Sequence, residues 1–121
     1  MSAASWMKVT RPVDGETVGY LQALAKDWSL VQPRSLLGHD VGPPAEFLEA
    51  EQRLLERGIS ELAERWQLKD AQPDLRNGVV ILEVSPDGIV VAHADLMKAM
   101  VFGQRVTVPW PDLTGELSRD A

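Results

Sequence analysis

The chain has 121 residues, with 18 acidic against 12 basic side chains and a formal net charge of −6. That length supports one domain with its own core, and the charge disfavours nucleic acid or an anionic membrane as partner, because phosphate binding needs a clustered basic face. With no cysteine in the chain, disulfides, thiolate metal sites and cysteine nucleophiles are excluded.

The acidity is uneven. Residues 1–40 balance four basic against four acidic side chains, residues 41–75 sum to −4, and residues 76–121 sum to −2. Met1 to Lys8 lacks the basic region and apolar run of a signal peptide. No apolar run approaches the roughly 18 residues of a membrane span, so the cytoplasm is the expected compartment.

In chain order, Met7, Val9, Arg11 and Val13 share one side of a first predicted strand. Asp14-Gly15 is a hairpin turn signal, and Val18, Tyr20 and Leu21 form the return strand; this reading is preferred to a rival helix from Thr17 to Leu30. Pro12 places the first strand at an edge. Trp28 to Gln32 forms another short strand, stopped by Pro33. Leu36 to Pro44, with two glycines and two prolines, is a loop that delivers the chain to a helix.

That helix is predicted from Pro44 to Trp66. Leu48, Leu55, Ile59, Leu62 and Trp66 stack on one face at helical spacing, widened by Phe47 and Leu54. Glu49–Arg53 and Glu61–Arg65 are favourable i,i+4 pairs. Gly58 lies near the apolar arc, where close packing or a break between two shorter helices would explain it. Ala71 to Gly78 reads as a loop and Val79 to Val84 as a central strand. Ser85-Pro86-Asp87-Gly88 is a turn, Ile89 to Ala94 returns, and Val101 to Val108 forms a last strand, ended by Pro109-Trp110-Pro111. The expected fold is a single α+β domain, 1–121: a curled antiparallel sheet of five to six strands packed around one long amphipathic helix (44–66), with residues 114–121 a frayed tail.

Glu51 is the anomaly, because it projects inside the apolar arc of that helix. A carboxylate there is paired, raised in pKa, or at the mouth of a pocket. Arg34 and Arg105 are candidate partners, and bending of the polar end out to water is the structural alternative. His39 and Asp40 are the accompanying candidates for acid–base work. His39, His93 and Asp95 form the weakest possibility, a metal site, with no ligand spacing that demands it. No nucleophile elbow and no phosphate-binding glycine loop is present, and the sequence implies no cofactor.

Met97, Met100, Phe102 and Trp110 are the candidate interface, as an adaptable apolar patch; the alternative for Trp110 is to cap the core. The first functional expectation is accordingly a non-enzymatic protein-interaction module that forms a homodimer, with another protein as the alternative partner. The alternatives are a small-molecule-binding domain or modest hydrolase using Glu51 with His39, and an acidic immunity- or antitoxin-like protein that binds a basic partner.

Overall fold

A computed structural model describes residues 5–69, 78–93 and 105–119. The fold is α+β: the described residues form two sheets, both with antiparallel pairing, and one amphipathic α-helix. The chain divides into two compact units, Met1–Ile59 and Ser60–Ala121.

The first unit is a three-stranded meander: β1 (Met7–Thr10), β2 (Thr17–Ala23) and β3 (Val31–Arg34), in the order β1-β2-β3. The hairpin at Asp14-Gly15 forms as the turn residues require, with Gly15 at φ +73°, and the rival helix over 17–30 does not. β1 is shorter than expected: Val13 lies beyond it and is exposed. Pro33 does not stop β3 but lies inside it, opposite Leu21. This is tolerated because β3 is the edge of its sheet, where a missing N–H breaks no ladder.

Strand alternation then sorts the side chains. Val9, Leu21 and Val31 join Val18, Ala45, Ala50 and Leu54 in the core of this unit. Lys8, Tyr20 and Arg34 stand opposite one another in register on the other face.

Helix α1 (Phe47–Arg57) packs on this sheet. It is shorter than the predicted 44–66 segment at both ends. Pro44 precedes it, and Gly58 ends it by taking φ +68°, ψ −152° and donating its N–H to the Leu54 carbonyl. Only glycine adopts that backbone cheaply. Past the break, the chain makes a 3₁₀ turn at Ser60–Ala63 and then a strand. Leu62 and Trp66 therefore never belong to the helical stripe.

The second unit is a five-stranded antiparallel sheet. It comprises β4 (Trp66–Leu68), β5 (Val79–Ser85), β6 (Gly88–His93), β7 (Val106–Val108) and β8 (Leu117–Arg119), in the order β7-β6-β5-β4-β8. β5 is central, as its β-branched run predicts. A register shift between Ile81 and Glu83 marks a bulge there and turns Leu82 outward. The Ser85-Pro86-Asp87-Gly88 turn closes as expected, with the Asp87 N–H donating to Ser85 Oγ at 3.2 Å. The segment 114–121, expected to fray, instead supplies β8, which pairs with β4 through Trp66↔Arg119, Gln67↔Ser118 and Leu68↔Leu117. Leu117 is buried, so an apolar anchor inside a polar tail holds it in place.

Candidate functional site

The orientation of α1 decides where Glu51 goes. Ala50 and Leu54 are its buried residues, and Leu54 is 0% exposed. At about 100° per residue, a buried face centred between these two leaves Glu51 on one shoulder, with Leu48 and Leu55 farther round the same side. Arg53 and Arg57 fall on the opposite shoulder. Leu48 is accordingly 68% exposed, while Leu55, Ile59 and Phe47 are half-buried, each resting one side on the core. Of the apolar residues that periodicity assigns to the core up to Ile59, Leu54 is buried and Phe47, Leu55 and Ile59 pack against it, and Leu48 turns outward. Glu51 lies half-buried among its leucines, and its carboxylate has no hydrogen-bond or ion-pair partner among the described residues.

The stripe continues onto the β2–β3 turn. Trp28 meets Phe47 edge-on, with ring centroids 6.5 Å apart and planes at 70°. Trp28 has φ +62°, a left-handed conformation uncommon for a bulky residue. The turn that holds it is closed by Trp28 N–H donating to the Ala25 carbonyl and Ser29 N–H donating to Asp27 Oδ1, both at 3.0 Å. Hydrogen bonds from the Ser29 side chain and N–H hold the Asp27 carboxyl below its usual pKa.

His39 and Asp40 belong to a different construction. Ser35 is fully buried, and its Oγ accepts the N–H groups of Leu37 and His39, at 3.3 and 3.2 Å, tightening the loop after β3. Arg34 then gathers the loop. Its Nε donates to Gln22 Oε1 at 2.8 Å, and its Nη1 donates to the Gly38 carbonyl at 2.8 Å and pairs with Asp40 Oδ1 at 2.9 Å. The guanidinium stacks over Trp6 at 4.8 Å, and Trp6 meets Tyr20 at 6.2 Å. Arg34 therefore pairs with Asp40 rather than with Glu51, and no hydrogen bond joins Glu51 to His39. Burial raises the Tyr20 phenol above its ordinary pKa. The polarity of this cluster is spent internally, in fixing the loop.

Of the remaining candidates, Asp95, Met97, Met100 and Phe102 lie outside the described residues. Trp110 is half-buried. Asp112 organises the loop it stands on: the buried Asp112 carboxylate accepts the N–H groups of Glu116 at 2.8 Å and Leu117 at 3.0 Å. His93 ends β6 opposite Val79, with its Nε2 3.4 Å from where a Gly78 Cβ would stand. Among the described residues no three His, Asp or Glu side chains are grouped to hold a metal ion.

Two buried acids escape the sequence patterns. Asp112 carries a weak signal, an aspartate after proline in a turn-rich segment. Glu61 carries none: helical periodicity assigns it to a solvent pair with Arg65, yet it is 1% exposed in the 3₁₀ turn. There its backbone carbonyl accepts Trp66 Nε1–H at 3.1 Å. No helix among the described residues is long and apolar enough to cross a membrane. No protein-family model, curated protein or solved structure matches this chain.

Proposed function

We propose that the protein is a non-enzymatic interaction module that works through contact with another protein chain. The observation that carries this reading is the outward shoulder of α1. Leu48 stands 68% exposed beside half-buried Leu55, Ile59, Phe47 and Trp28, which are in place to deepen a contact without rearranging the core. An exposed leucine flanked by part-exposed aliphatic and aromatic side chains is a composition that suits the centre of an interface. The hydrolase alternative is less well supported, because its acid and base, Glu51 and His39, share no hydrogen bond, and Asp40 is engaged by Arg34.

Selection from a random peptide display library on the immobilised chain tests this reading. Sequences enriched on the parent chain and lost on a Leu48→Ser variant of unchanged melting temperature are the expected result. Identical enrichment on both would move the contact away from α1.

A further inference from the structure

We infer that the occupant of the α1 shoulder is a basic amphipathic segment of a different protein, seated with a lysine or arginine on Glu51. The inference rests on the interaction reading above and names its partner class.

Glu51 follows Phe47 by one helical turn and precedes Leu55 by another, so it lies within the apolar stripe rather than beside it. Its carboxylate meets no cation and no donor among the described residues. The arginines of the helix are on its other shoulder, where Arg53 is consumed: Nη1 donates to the Val41 and Pro43 carbonyls at 3.2 and 2.9 Å, and Nη2 meets Glu49 at 3.5 Å. Glu56, the next acid round the helix, already accepts from Gln52 Nε2 at 3.1 Å. Any surface that covers Leu48 and Leu55 also strips water from Glu51, which then demands a partner charge.

A second copy supplies the wrong one. In a two-fold contact centred on the stripe from Leu48 to Ile59, each Glu51 lies about 4 Å along the helix axis from the dyad. The two carboxylates would then share one dehydrated region and repel. A partner lysine or arginine among apolar residues satisfies both demands, since a charge-assisted hydrogen bond gains strength as water leaves. The −6 charge of the chain favours the same encounter at longer range.

The test is fluorescence anisotropy with two labelled synthetic helical peptides that share one leucine stripe, one carrying lysines beside it and the other glutamines. The lysine peptide is expected to bind the parent chain on the order of tenfold more tightly. Glu51→Gln should erase that preference, whereas Glu56→Gln, which removes the same charge off the stripe, should keep it. Leu48→Ser should weaken both peptides. Equal affinity of the two peptides for the parent chain overturns the basic partner while leaving the interaction reading standing. A preference lost equally in Glu51→Gln and Glu56→Gln reduces it to general acidity and overturns the assignment to Glu51. Failure of both peptides to bind, or a dimer by light scattering that Leu48→Ser disperses, overturns it outright; binding untouched by Leu48→Ser removes both readings.

Discussion

Gly19 shows how tightly individual residues set the first unit. A methyl group on it would stand 2.5 Å from the Arg34 carbonyl oxygen and 3.0 Å from a Leu54 methyl. The missing side chain is what lets α1 lie close on β2, and the carbonyl, being held in the sheet, cannot yield. Gly19→Ala should therefore destabilise the protein by about 1–3 kcal/mol, read as a lowered urea midpoint; an unchanged midpoint would mean that the sheet and helix are looser than described. Its neighbour Tyr20 makes a pH prediction. Burial raises the phenol above its ordinary value of 10.0, so the folded chain holds that proton more firmly than the unfolded chain. The stability this confers is complete below about pH 10 and is lost as pH rises from there through the folded pKa. Tyr20→Phe should lose less stability than the parent chain between about pH 9 and pH 11 in thermal melts. At this scale the sequence is a poor guide: nothing in the string VGYL says that its glycine faces a helix and its tyrosine the opposite side.

Elements were legible where a few adjacent residues decide them. Asp14-Gly15 and Ser85-Pro86-Asp87-Gly88 act through their own backbone preferences, and both turns form. The helix was legible in kind and not in extent. Leucine and tryptophan continue at helical spacing past Gly58, but the chain breaks there and spends them on other structures. Once Leu62 and Trp66 leave the helical wheel, the face that meets the sheet shifts to Ala50 and Leu54. For the candidate site this is the decisive rotation, because it brings Leu48 and Glu51 to the surface together. Substitution distinguishes the two orientations. Leu54→Ala should cost about 2–5 kcal/mol, and Leu48→Ala no more than about 0.5 kcal/mol, in denaturant titrations. Equal costs would restore the orientation that periodicity predicts. In the second unit, Asp112 fixes the approach to β8 with two hydrogen bonds. Asp112→Ala strands two N–H groups and should cost about 1–3 kcal/mol, with faster amide exchange at Glu116 and Leu117; exchange unchanged at both would give the loop another anchor.

For the molecule as a whole, the charge balance bears on stability as well as on partner choice. Eighteen acidic and 12 basic side chains leave a net −6 on 121 residues. Among the described residues, attractive pairs that oppose this repulsion lie at the surface: Arg11 with Asp14 at 2.7 Å, Arg53 with Glu49 at 3.5 Å, Arg119 with Glu64 at 3.1 Å. Solvent-exposed pairs of this kind contribute little each, and salt screens them along with the repulsion. Arg34 with Asp40 differs on one side only: the guanidinium is covered by Trp6 and the Gly38 carbonyl, while the Asp40 carboxylate is exposed to the surrounding ions. Self-repulsion in the compact state should therefore outweigh the screened attractions. Raising sodium chloride from about 20 mM to about 300 mM should stabilise the fold, by on the order of 0.5 kcal/mol in urea titrations. The same change should weaken a basic peptide at Glu51, so that folding and binding respond to salt with opposite sign. A fold that loses stability over this range would show that the ion pairs, and not the excess of acid, govern the electrostatics of the chain.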